Sequence, residues 1–287
     1  MVRLCTKNDY EQMVDLAYRK NNDPTHFSAF FPRRRDSIER ELTFGLESFD
    51  HILIGNFQDG TLNGLLSFYI DKDKNNTDCA GPFVDGDFLP VAKAMLDYGK
   101  SMLSSSMRYT FYFGRMNQEC IEFMKINDAC DQGNEYQLIL KRDSYIKLSS
   151  TIHVDVLPAE YSKNFIQLHD MIFPGIYISG TEIIQSIGKD RKVFCIIEDE
   201  KLLGYSVLKI YENSKSSTAE IIAVHEEYRH QGYGRLLLNR VIEEALSDSS
   251  IETVDLIVDK INRNALSLYY AVGFELKEEM CNYQVRL

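Results

Sequence analysis

The residues in this 287-residue chain best suited to chemistry lie in one stretch, "AVHEEYRHQGYGRLLL", Ala223 to Leu238. Arg229, Gly232 and Gly234 stand where an apolar strand run hands over to an amphipathic helix. A helix N-terminus leaves its first amide N–H groups unpaired and carries partial positive charge, so it attracts an anion. Glycines have no Cβ, so backbone can approach that anion closely and turn through positive φ. Arg229 adds a planar cation that matches phosphate oxygens. The set suits a phosphate, with pyrophosphate the expected form. No G-x-x-x-x-G-K-[ST] run exists in the chain, and no third glycine completes a G-x-G-x-x-G turn. On this piece alone, a loop that simply requires two glycines explains the pattern equally well.

The elements that would position this loop read as the second of two copies of one plan. "VDLIVDKINRNALSLY" (Val254 to Tyr269) is a strand, a turn with Asn262 and a helix; "YTFYFGRMNQECIEFM" (Tyr109 to Met124) repeats the order around Asn117 (262 − 117 = 145). "CNYQVRL" matches "NEYQLIL" (Tyr283 and Tyr136, 283 − 136 = 147), and "LLGYSVLKI" matches "LNGLLSFYI" (Gly204 and Gly64, 204 − 64 = 140). Three matches in one order at nearly one offset indicate duplication.

In the first copy the patterns predict a strand at "RLC", a helix capped by Asn8 or Asp9 and running to Tyr18, and a helix over Ser37–Leu46. Strands follow at His51–Phe57 and Leu62–Asp71 through a "QDGT" hairpin turn, then Cys79–Val84, helix Leu89–Leu103, strand Tyr109–Phe113, helix Gln118–Asn127 and strand Tyr136–Lys141. The pattern restarts near residue 148, which predicts domains 1–147 and 148–287. The second copy has strands at Thr151–Val156, Val193–Glu198, Leu202–Tyr211, Thr218–Val224, Thr253–Val258 and Phe274–Arg286. Its helices cover Ala159–Ile172, Thr181–Ile187, Gly232–Ser247 and Asn262–Val272. Strands alternating with helices, plus an antiparallel hairpin, predict an α+β fold with a mixed sheet in each domain.

The loop and the helix after it carry a family resemblance. Arg229, Gly232 and Gly234 fill the [Q/R]-x-x-G-x-[G/A] signature of the GNAT N-acetyltransferase superfamily, and "NRNALSLYYAVGF" resembles its N-x-x-A-x-x-L-Y-x-x-x-G-F helix through Asn262, Ala265, Leu268, Tyr269, Gly273 and Phe274. The resemblance covers residues 152–287. It implies two GNAT-like domains, each a mixed, mostly antiparallel twisted sheet flanked by helices. The first is a degenerate copy: Asp85 and Asp87 stand where an anion would sit and would repel it, and Met124 replaces the tyrosine.

The resemblance further implies acetyl-CoA as co-substrate, held by Ala223, Val224, Arg229, His230, Gln231, Gly232, Tyr233, Gly234, Arg235 and Asn262. Tyr269 falls at the position of the acid that protonates the leaving thiolate, with Tyr270 beside it as a decoy. Glu220, on the preceding strand, is the candidate base, ahead of His225. The Val224 N–H is placed to hold the carbonyl oxygen. Asn262 either meets the pantetheine arm or only caps its helix. Tyr177, in "FPGIYISGTE", is a candidate wall of the acceptor pocket.

Composition bounds the partners. A net charge of −11 opposes non-specific nucleic-acid binding, and no apolar run is long enough for a membrane span. Six cysteines without a C-x-x-C pair argue against a metal knuckle or a disulfide scaffold, and with no export segment visible they predict a cytoplasmic protein. The expected function is acyl-CoA-dependent N-acyltransfer to a small-molecule amine or a protein amino group. The alternatives are an acyl-CoA-binding pseudoenzyme or interaction module, and O-acyl transfer.

Overall fold

Two-residue turns organise the strands of both copies. In the computed structural model, which describes residues 1–148, 152–211 and 214–286, strand β2 (His51–Gln58) reverses into β3 (Thr61–Asp71) through Asp59 and Gly60, at φ 50° and 79°. This is the positive-φ turn that matches strand twist. Its counterpart joins β8 (Arg191–Glu198) to β9 (Lys201–Ile210) through Asp199 and Glu200, at φ 49° and 61°, without any glycine.

The chain forms two compact units. Unit 1 comprises Met1–Glu135 and Glu278–Leu287, and unit 2 comprises Tyr136–Lys277. Relative to the expected division at 147/148, residues 136–147 group with unit 2 and residues 278–287 with unit 1.

Unit 1 contains β1 (Val2–Leu4), α1 (Tyr10–Asn21), α2 (Arg35–Glu47), β2, β3, β4 (Asn76–Val84), α3 (Phe88–Lys100), β5 (Arg108–Gly114), α4 (Gln118–Ile126) and the start of β6 (Cys130–Lys141). Its sheet order is β1-β2-β3-β4-β5-β12, where β12 is Glu275–Val285. Only β4 and β5 run parallel. Helices α1 and α2 cover one face through Met13, Leu16, Ile38 and Leu42 against Leu53, Leu65 and Phe83. Helices α3 and α4 cover the other, with Met95, Leu96 and Phe123 against Phe68 and Phe111. Asp9 precedes α1, but its carboxylate reaches back to Thr6 N at 2.8 Å and pairs with Arg3 at 2.8 Å instead of capping that helix.

Unit 2 repeats the plan. β7 (Asp155–Val156), β8, β9, β10 (Ser216–Val224) and β11 (Thr253–Asp259) lie in that order, with β6 beside β11, and again only β10 and β11 among the first five are parallel. The predicted start of β7, Thr151, lies outside the described residues. Helices α5 (Ser162–Ile172) and α6 (Gly180–Ser186) pack on one face through Phe165, Leu168 and Ile183 against Val193, Tyr205 and Val207. Helices α7 (Tyr233–Ser247) and α8 (Arg263–Val272) pack on the other, α7 presenting Leu238, Val241, Ile242 and Ala245 to Phe194, Leu208 and Val254.

The glycines that matched in sequence do the same job. A Cβ on Gly64 would come within 2.7 Å of Val91 on α3, and one on Gly204 within 2.6 Å of the Ala223 carbonyl and 3.1 Å of Leu237 on α7. Each lets a helix cross the sheet closely. Matched Asn117 and Asn262 likewise each accept a bond from the third residue on, Cys120 N at 3.0 Å and Ala265 N at 3.1 Å. Equal strand order, equal layering and equal caps support the duplication read from the sequence. No helix among the described residues is long and apolar enough to cross a membrane.

Candidate functional site

Unit 2 opens where its two parallel strands part. β10 and β11 pair from Ser216 to Thr218 against Thr253 to Asp255 and then diverge, and a cleft of about 400 Å³ follows. Its walls include Val224 from β10, Arg229 and Gly234 from the following loop and helix, and Asn262, Leu268 and Tyr269 at α8.

The direction of the Val224 amide follows from the strand pairing. His225 N donates to Leu203 O at 2.8 Å, and Val224 faces Gly204 across the β9–β10 ladder. Antiparallel pairs alternate between hydrogen-bonded and free, so the Val224 N–H points away from β9 and toward the gap. The loop after it is pinned to the same strand end, because Arg229 Nε donates to Val224 O at 3.1 Å. A single helical turn at Glu226–Tyr228, His230 at φ 64° and Gly232 at φ 87° then swing the chain into α7. Gly232 supplies no side-chain cap, and the first turn of α7 carries no acid. The helix thus presents free amides and positive potential to the cleft.

Gly234 is not explained by the fold. It lies inside α7 without a positive φ, and a Cβ there would meet nothing nearer than Leu268 Cδ2 at 3.6 Å and Val224 Cγ2 at 3.9 Å. Glycine in a helix costs about 1 kcal/mol relative to alanine. Packing alone does not require the glycine.

Of the expected site residues, Ala223, Val224, Arg229, His230, Tyr233, Gly234, Asn262 and Tyr269 line this cleft; Gln231 and Gly232 on the loop and Arg235 in the first turn of α7 are exposed outside it. Asn262 both lines the cleft and caps α8, and the identical cap at Asn117 shows that capping alone suffices for its presence. Tyr269 is half-buried, and burial pushes its phenol up to about 12. Tyr270 is exposed and outside the cleft, as the helix register requires.

Glu220, the candidate base, is held in an ion pair. Glu220 does not line the cleft and occupies a bulge between Ala219 and Ile221 of β10. Arg191 Nε donates to its Oε2 at 2.6 Å and Arg191 NH2 to its Oε1 at 2.8 Å, with Lys209 Nζ 3.8 Å away. The exposed Tyr177 also donates its hydroxyl to Oε1, at 2.9 Å. Glu220 ties the α5–α6 connection to the sheet. A second tie is His169, fully buried: its Nδ1 meets Tyr205 OH at 2.7 Å and its Nε2 meets Ile178 O at 3.0 Å. The carbonyl can only accept, so Nε2 carries the proton and Nδ1 accepts from the tyrosine. His225 accepts from Glu227 N at 3.4 Å and lies outside this cleft. Sequence reasoning did not single out Arg191, Ile222 or Tyr228; no local pattern marks a residue whose partner lies on a distant strand.

The sequence profile of the Acetyltransferase (GNAT) family matches residues 163–274. A GCN5-related N-acetyltransferase from Sphaerobacter thermophilus is similar over 100% of this chain and 96% of its own, with a TM-score of 0.75 at 12% identity. A tandem GNAT protein from the clavulanic acid biosynthesis pathway is similar over 99% and 97%, with a TM-score of 0.68 at 13% identity. An acetyltransferase from the GNAT family of Colwellia psychrerythraea is similar over 100% of both chains, with a TM-score of 0.60 at 13% identity. At such identities what is shared is the fold. Residues 163–274 thus match the acetyltransferase (GNAT) family profile, within a chain whose whole length shares the fold of these GNAT structures.

Proposed function

We propose that unit 2 is an acyl-CoA-dependent N-acyltransferase that moves an acetyl group from acetyl-CoA to a primary amine by direct attack. The observation that carries this reading is Gly234, a helix glycine whose missing Cβ leaves room beside free amides and a cation. That combination fits a pyrophosphate. The first turn of α7 and Arg229 receive it, and Gly232 sets the turn. Acetyl-CoA supplies the activated carbonyl as a thioester.

The residues of the cleft then have distinct tasks. Val224 N–H receives the carbonyl oxygen as negative charge builds on it. The amine lone pair forms the C–N bond while the C–S bond breaks. Tyr269 gives its hydroxyl proton to the departing sulfur, and the proton lost by the amine passes to solvent. A phenol near 12 keeps its proton at neutral pH. The same low-dielectric cleft raises the basicity of the thiolate that receives it. Glu220 and Tyr177 position the α5–α6 connection beside the acceptor.

The competing reading is an acyl-CoA-binding module without turnover, and the observation on its side is that both Glu220 oxygens are engaged. Free-thiol release from acetyl-CoA, measured with a panel of small amines and peptide amino groups, separates the two. Release that depends on both protein and amine supports the transferase. Calorimetric binding without release across the panel supports the module.

A further inference from the structure

The gap that forms the cleft in unit 2 is also built in unit 1, where it is filled. β4 and β5 pair from Asn76 to Cys79 against Arg108 to Phe111 and then part, as β10 and β11 do. Into that gap runs the connection between α1 and α2. Gly114 N donates to Phe27 O at 3.2 Å, Ser28 forms an antiparallel bridge with Phe113, and Ala29 N donates to Tyr112 O at 2.8 Å. From the other side of the gap, Gly81 N on β4 donates to Ser28 Oγ at 3.0 Å. Ser28 is only 1% exposed.

The segment is held from behind as well. Asn21, fully buried at the end of α1, accepts from Ser28 N at 2.8 Å and donates to Phe31 O at 2.8 Å and Pro32 O at 3.1 Å. The Arg33 guanidinium lies 3.5 Å over the Phe27 ring. Near the N-terminus of α3, Asp85 is neutralised by Arg19 at 2.7 Å and Lys20 at 3.2 Å, and Asp87 occupies the cap position. An anion arriving there would meet carboxylates, with the nearest cations already paired.

We propose that Phe27–Ala29 is a built-in occupant of the unit 1 groove. It is a length of peptide pairing with β5 where, on the acyl-CoA reading of unit 2 on which this comparison rests, the amide-bearing pantetheine arm would lie. The N-terminal unit has exchanged an exogenous ligand for its own backbone, and the chain binds one acyl-CoA.

Hydrogen exchange on the intact chain tests this. The amides of Ala29, Gly81 and Gly114 are expected to be protected alongside the ladder amides of β5, with no change on adding saturating acetyl-CoA. Calorimetry is expected to give one acetyl-CoA per chain. Asn21→Ala removes three bonds behind the segment without touching either groove strand; it should speed exchange at Ala29 by about tenfold or more, with acetyl-CoA affinity unchanged. Should that variant not fold, Ser28→Ala removes only the acceptor of Gly81 N and should speed exchange there alone. Exchange at Ala29 at free-loop rates in the unmodified chain, or two acetyl-CoA per chain, overturns the proposal. A chain that binds no acetyl-CoA overturns the reading of unit 2, while protection at Ala29 and Gly81 still supports the filled groove.

Discussion

Arg191 and Glu220 form a two-pronged ion pair at 2.6 and 2.8 Å, with side chains only 8% and 5% exposed. Removing one partner of a buried pair costs about 3–5 kcal/mol when it strands the other charge, and part of that when Glu220 is lost, because Arg191 keeps the half-exposed Asp190 at 3.2 Å. Glu220→Ala is therefore expected to lower thermal stability markedly in calorimetry. Glu220→Leu combined with Arg191→Met should recover most of the loss. Wild-type stability in Glu220→Ala would show that the pair contributes nothing and return Glu220 to consideration as a base.

Gly234→Val fills the space that packing leaves beside the first turn of α7. Stability should change by no more than about 1 kcal/mol, since valine and glycine are both weak helix formers. Acetyl-CoA binding, followed by calorimetry, should be lost. Unchanged affinity would mean that the loop is only a turn.

Tyr269→Phe removes the hydroxyl and keeps the ring, which packs 6.0 Å from Phe274. Loss of a general acid lowers kcat by roughly 10²–10⁴-fold, with acetyl-CoA affinity nearly unchanged. Tyr270→Phe, at an exposed position, should leave kcat as it was. Near-full turnover in both variants would assign the proton to water.

His51 is 4% exposed, and its Nε2 meets Ser67 Oγ at 2.5 Å. Burial lowers its pKa from 6.5 to about 4, and the Glu41 carboxylate 3.9 Å from Nδ1 does not offset this. The unfolded chain therefore takes up the proton first. Stability is full above about pH 6.5 and falls as the pH drops toward 4, with a loss on the order of 3 kcal/mol, about 2 of it by pH 5. Thermal melts between pH 7.5 and 4 check this, and His51→Gln should flatten that part of the profile. A chain with His51 intact that is equally stable at both ends contradicts a buried neutral imidazole.

What the sequence determined is what neighbouring residues decide together. Apolar periods set most helices and strands to within a few residues, though β6 begins six residues before the expected Tyr136, Asp59–Gly60 set a hairpin, and Asn117 and Asn262 set caps, because each depends on contacts within a few positions. Arg229, Gly232 and Gly234 marked the proposed anion loop for the same reason, and helix register turned Tyr269 inward and Tyr270 outward. Tertiary structure decided the rest. Arg191 meets Glu220 only because β8, β9 and β10 lie side by side and a bulge turns the carboxylate. Residues 136–141 enter unit 2 and 278–285 enter unit 1 because a strand's partner is chosen by the edge it reaches, which no local pattern encodes. The same holds for Phe27–Ala29: a three-residue stretch with no strand signature bridges to β5 because two parting strands leave their amides and carbonyls in need of partners.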